Sequence, residues 1–227
     1  MSFDRILDIG VLLLILFPAI ILHEVAHGYV AYLLGDTTAK DRGRLSLNPI
    51  RHVDPFGTFL LPLLLLLGSG GQIAFGYAKP VPVNTWAFKN QRQGMFLVGI
   101  AGPATNLVLA FLSGLAFQAV NALGSGTVAG IVAYVFLRFC LLNLVLMFFN
   151  LIPLPPLDGS RILPLFLSDR AMVTYDKIER YGFVILIATV WFLPDVIRML
   201  TGQDINPIGW YFSWTVSPVF SLFAGIG

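Results

Sequence analysis

The chain has 227 residues, of which 57% are hydrophobic and 11% charged. A soluble domain carries about 25% charged residues, so the deficit excludes a soluble enzyme with a large core and indicates an integral membrane protein. A net charge of +2 points to neither nucleic acid nor an acidic partner, and the single cysteine, Cys140, excludes an intramolecular disulfide and a cysteine-rich metal site.

The N-terminus, with Asp4, Arg5 and Asp8, does not resemble a signal peptide. Ile9–Leu34 follows as an apolar run long enough to span a bilayer, and its only charged or titratable cluster is His23-Glu24-Val25-Ala26-His27. Ionisable groups inside a span are costly and read as functional. An H-E-x-x-H pattern on a helix is a zinc-protease motif: residues four apart lie one turn along the same face, so His23 and His27 can hold one metal. Glu24 is offset by one position and can reach water without being a ligand.

The polar stretch 35–55 comes next. Its basic residues Lys40, Arg42, Arg44 and Arg51 read as an orientation signal that touches anionic lipid. His52 reads as an interfacial polar residue, with a supporting or regulatory role at the metal as the alternative. Phe56–Leu67 is apolar but short, contains Pro62 and ends in Gly68-Ser69-Gly70-Gly71, so it reads as re-entrant. Segments 44–49 and 76–84 alternate in polarity and read as short membrane-associated β-strands; Pro80 and Pro82 bar the second from any position but an edge.

Met95–Leu123, Val128–Ile152, Phe183–Leu200 and roughly Ile208–Phe223 are further spans, five in all, with six as the alternative if Phe56–Leu67 crosses. Cys140, inside the third of the five spans, reads as a buried inert thiol. In the five-span arrangement Arg5 and Arg198 lie on one side. Lys40, Arg42, Arg44, Arg51, Lys79, Lys89, Arg92, Arg161, Arg170, Lys177 and Arg180 lie on the other. That bias puts the N-terminus outside and the C-terminus in the cytoplasm. A catalytic zinc site takes three protein ligands. Asp158, after the proline-rich reversal Asn150–Pro156, is the best third candidate, because the five-span arrangement puts it at the depth of His27; a helix N-cap is its alternative role.

These residues resemble the site-2 protease family of intramembrane zinc metalloproteases. The matching motifs are His23-Glu24-Val25-Ala26-His27, Gly102-Pro103-Ala104-Thr105-Asn106, and Asn150 through Leu157-Asp158-Gly159, over roughly residues 10–165. The resemblance implies an all-α polytopic membrane protein with a three-helix catalytic core. It implies one catalytic Zn2+ held by His23, His27 and Asp158, with Glu24 as general base and Asn150 holding the substrate carbonyl or oxyanion. It leaves Asn106 and Gly102 between a site role and helix packing. The expected organisation is a single membrane-embedded metalloprotease domain over 1–227, with the core at about 9–165 and C-terminal helices at about 180–226. Only Gly124-Ser125-Gly126-Thr127 separates the second and third core helices, so no PDZ-like insertion is expected there, and no CBS-like tail. The expected substrate is a transmembrane segment of another protein, cut in the lipid bilayer of a prokaryotic cell membrane with the active site toward the cytoplasm, in regulated proteolysis. The alternative is a catalytically silent zinc-binding membrane chaperone or adaptor.

Overall fold

The computed structural model describes residues 3–60 and 79–226. It is built from helices: α1 (Phe3–Leu33), α2 (Gln91–Leu123), α3 (Gly126–Asn150), α4 (Asp169–Glu179), α5 (Gly182–Thr201) and α6 (Pro207–Ala224), with single turns between them. Four helical stretches are long and apolar enough to cross a bilayer: Gly10–Leu33, Gln91–Leu123, Gly126–Asn150 and Gly182–Thr201. At 1.5 Å per residue the shortest of these reaches about 30 Å, the thickness of the hydrocarbon core. α6 is aromatic-rich, with Trp210 and Trp214 exposed, and is not among the four.

In lipid the backbone must satisfy itself, which selects helices for these apolar runs. Leu12, Leu13, Leu14 and Phe17 of α1 point outward, whereas Ile15, Ala19 and Ile21 are buried. α2 and α3 form a hairpin through Gly124-Ser125 and share an apolar core with α6: Ala110, Cys140, Leu144, Met147 and Val216 are buried together. The Tyr211 hydroxyl donates to the Phe148 carbonyl at 2.9 Å and Gln118 donates to the Phe223 carbonyl at 2.7 Å, fastening α6 across the hairpin. α5 stands apart, with 6% of its apolar window buried against 39% for α2, so its surface is left for lipid.

Phe88, Ala31 and Val98 form a second small core that joins the end of α1 to the start of α2. These two helix ends therefore lie in one layer. Between them, the Lys79 N–H donates to the His52 carbonyl at 2.9 Å, so the chain that leaves this layer after His52 is back in it at Lys79. Of the short apolar run, Pro55–Leu60 forms a wide helical turn, and the rest of Phe56–Leu67 lies outside the described residues. Neither segment expected as a β-strand pairs as one among the described residues; 76–78 lie outside them. The reason is visible in 79–84, whose N–H groups at Val81 and Asn84 go to the side chains of Glu24 and Asp36.

Candidate metal centre

α1 presents His23 and His27 inward, and both are buried. Asp158 reaches them from the reversal that follows α3. Asp158 makes no capping bond to the turn Gly159–Ile162, so its carboxylate is not spent as an N-cap. Gly159 lies so near the Leu151 and Ile152 carbonyls that a methyl group there would meet them at 2.4 Å, and this close approach is what the reversal requires of it. Three atoms converge: His23 Nε2 lies 2.9 Å from Asp158 Oδ2, His27 Nε2 lies 3.1 Å from the same oxygen, and the two Nε2 atoms are 3.0 Å apart.

The outer contacts decide what those atoms carry. The His27 Nδ1 is 2.6 Å from the Val98 carbonyl, which only accepts, so the proton of a neutral ring sits on Nδ1. The His23 Nδ1 lies 2.5 Å from Asn106 Oδ1. That orientation of Asn106 follows from a relay: its Nδ2 donates to Asn143 Oδ1 at 2.7 Å, and Asn143 Nδ2 donates to the Phe139 carbonyl at 2.9 Å. A backbone carbonyl cannot donate, so the polarity runs one way, and Asn106 must show its oxygen to His23. Both Nε2 atoms then bear lone pairs, and the third atom is a carboxylate oxygen. Three bare acceptors about 3 Å apart repel one another unless a cation sits between them. Ligand bonds of 2.0–2.1 Å in a tetrahedral zinc site place neighbouring ligands about 3.3 Å apart, close to the spacing seen. The donor set therefore fits zinc, and no other cluster of three such side chains occurs among the described residues.

Gly102 supplies the wall of this site. A methyl group there would lie 2.5 Å from His23 Nε2 and 2.5 Å from His27 Nε2. Gly102 and Asn106, left open between packing and function by their sequence, both touch the histidines. Glu24 faces another way: its Oε2 accepts from the Val81 N–H at 3.0 Å. Asn150, the last residue of α3, donates its side-chain amide to the Leu146 carbonyl at 2.9 Å and bonds to none of the other candidate residues. His52 is buried, is not part of the group His23, His27 and Asp158, and bonds through Nε2 to the Ser46 carbonyl at 2.6 Å.

Two residues carry more than their sequence suggests. Asn143 escapes notice as one amide in an apolar run, although a fully buried amide in a span is itself a signal. Arg44 is 5% exposed and donates to the Lys79 carbonyl, which corrects its reading as a lipid-facing charge. Arg51 stays exposed and donates to the Gly43 carbonyl at 2.8 Å.

Residues 118–193 match the model of Peptidase family M50. YwhC of Bacillus subtilis, assigned as a zinc metalloprotease, is 39% identical over 206 residues, which cover 89% of this chain and 84% of that one. Rip2 of Mycolicibacterium smegmatis, given the same assignment, is 28% identical over 96% of this chain and 80% of its own length. Zinc metalloprotease MJ0392 of Methanocaldococcus jannaschii is 30% identical over 71% of this chain and 35% of its own length. No solved structure matches the chain.

Proposed function

Because this chain belongs to peptidase family M50 and is a zinc metalloprotease of the membrane, we propose that it cuts transmembrane segments of other proteins inside the bilayer. The observation that carries the reading is the convergence of His23 Nε2, His27 Nε2 and Asp158 Oδ2 within an apolar helical bundle, one residue from a carboxylate that is not a ligand. When bound there, zinc supplies a Lewis acid that polarises a peptide carbonyl and makes water a better nucleophile. Glu24 takes the proton of the attacking water and returns it to the leaving amine. Asn150 leaves the Leu146 carbonyl to donate to the substrate oxygen as negative charge develops on it.

A helical peptide bond is shielded, so the substrate must unwind locally at the site. Exposed backbone groups then need partners that lipid cannot offer. The carbonyls of 80–83, beside the site, accept no N–H among the described residues and can serve an unwound strand. We place the active site toward the cytoplasm, with the N-terminus outside and residues 53–78 entering and leaving on the same side. Support comes from the charge bias and from the His52–Lys79 bond. Residues 1–227 act as one membrane-embedded domain, and cleavage releases a signalling fragment. α6, bonded to both α2 and α3, is the fifth span.

The experiment is a pair of variants in purified protein. Glu24→Gln keeps about one zinc per chain by elemental analysis and loses cleavage of a membrane-inserted substrate. Asp158→Ala loses zinc. A Glu24→Gln protein that cleaves normally would end the reading, and zinc retained at full affinity by Asp158→Ala would remove the third ligand.

A further inference from the structure

The extended segment 79–84 is fastened over α1 by bonds to four distant points. The Arg44 guanidinium donates to the Lys79 carbonyl. The Lys79 N–H donates to His52 at 2.9 Å, the Val81 N–H to Glu24 Oε2 at 3.0 Å, and the Asn84 N–H to Asp36 Oδ2 at 2.7 Å. The Val81 side chain is buried and seats on α1 at Gly28, where a methyl group would come within 3.0 Å of it.

The prolines give this segment a definite chemistry. Pro80 and Pro82 have no N–H, so Val81 holds the only donor among three consecutive residues, and that donor is spent on Glu24. Lys79 and Val81 each precede a proline, which keeps both in the extended region, and the Pro80 ring fixes its own φ. The donor is thus set in place by covalent geometry before any substrate arrives. Arg44 is the second unusual feature. A buried guanidinium is costly unless its charge and its N–H groups are answered. Here one group serves the Lys79 carbonyl and Nε has no partner. Burial lowers the Arg44 pKa, and the Glu24 carboxylate opposes that by favouring the cation. A solvated arginine at the membrane surface would need neither the strap nor the neighbouring carboxylate.

We propose that residues 79–84 are a strap that positions the base: Arg44 fixes Lys79, and the Val81 N–H holds one oxygen of Glu24 so that the other is left to face the reacting water. Arg44 and Val81 are positioning residues and do not touch substrate atoms in this role. The inference rests on the reading of Glu24 as the base. Fixing one carboxylate oxygen removes rotational freedom that would otherwise be lost on the way to the transition state.

The test compares Val81→Pro with Val81→Ala in zinc-loaded protein reconstituted in bilayers. The probe is a fluorescence-quenched apolar peptide with a central Gly-Pro pair. Three consecutive prolines keep the extended backbone, so Val81→Pro removes the N–H, whereas Val81→Ala keeps it and shortens only the packed side chain. Val81→Pro is expected to lower kcat about a hundredfold with KM and zinc content held, and Val81→Ala about threefold at most. Arg44→Met should fall in kcat as Val81→Pro does, and Arg44→Lys should recover part of the loss by offering the Lys79 carbonyl a shorter donor. If Val81→Pro fails to fold, the Arg44 pair decides alone. Equal kcat for Val81→Pro and Val81→Ala, or for Arg44→Met and wild type, overturns the strap, and a rise in kcat makes the contact inhibitory. Glu24→Gln in the same assay separates the two ideas: if it cleaves, the base assignment is wrong, and if it is silent while Val81→Pro is fully active, only the strap is wrong.

Discussion

Asn106 donates its amide hydrogen to Asn143 at 2.7 Å, and that one bond decides which face of Asn106 meets His23. Asn143 lies on α3 and His23 on α1, so a helix that contributes none of the three converging side chains sets which nitrogen of His23 carries the proton. Replacing Asn143 with Leu frees Asn106 to flip and present its amide hydrogens to His23 Nδ1. Zinc affinity should then fall about tenfold, as for other groups that orient metal ligands. Asn143→Asp still accepts from Asn106 and should lose less. Competition titration with a chelator of known affinity measures both; equal affinities for Leu and Asp would show that the relay has no part in zinc binding.

Gly102→Ala is expected to cost zinc without unfolding the protein. The new methyl group would stand 2.5 Å from both Nε2 atoms, the atoms that would hold the metal. Overpacking of this kind costs about 1–3 kcal/mol, and here the groups that must shift are the ligands. A variant with wild-type zinc stoichiometry and affinity would mean that the histidines can move aside freely.

Asp36 gives the expected dependence on pH. Burial alone would raise its pKa, but Thr38 and the backbone N–H groups of Asn84 and Thr38 outweigh burial and hold it below the usual carboxylate range. A depressed pKa contributes stability above the unfolded value, near 3.9, and that stability is lost as pH falls through the folded value. Between about pH 5 and pH 3 the wild type should therefore lose more thermal stability than Asp36→Asn, which has no carboxylate to protonate. Parallel melting curves for the two proteins across that range would refute the assignment.

The layer that joins α1 to α2 predicts that residues 40 and 89 are exposed on one side of the membrane. Lys40 and Lys89 are both exposed, so cysteines placed there in a Cys140→Ser background should react alike with an impermeant thiol reagent added to one face of sealed vesicles. Labelling from opposite faces would require a crossing between them.

The convergence of His23, His27 and Asp158 was legible from sequence because a metal site demands particular residue types at fixed spacing. Two histidines a turn apart point at one place, and Asp158 stands out after a run of prolines. The helices were legible because a long apolar run in lipid has few other ways to satisfy its backbone. Asn143 was not, since a single amide in an apolar stretch has no period to mark it. The burial of Arg44 is hidden in the sequence for a different reason: basic residues near a membrane usually face lipid headgroups, and only the fold shows this one turned under the 79–84 segment. Segments 44–49 and 76–84 have the alternation of strands, but in the described part of the second the Glu24 and Asp36 side chains take the Val81 and Asn84 N–H groups that a ladder would use.

The His52–Lys79 bond ties together the two flanks of residues 53–78. With both ends pinned 2.9 Å apart by backbone atoms, the length of the intervening chain is decoupled from the geometry of the histidines and Glu24. Because Lys79 is anchored to His52 directly, a change of length between them need not move either anchor. Insertions or deletions between residues 53 and 78 should therefore be tolerated by the zinc ligands far better than changes of the same size in 28–52 or 79–98.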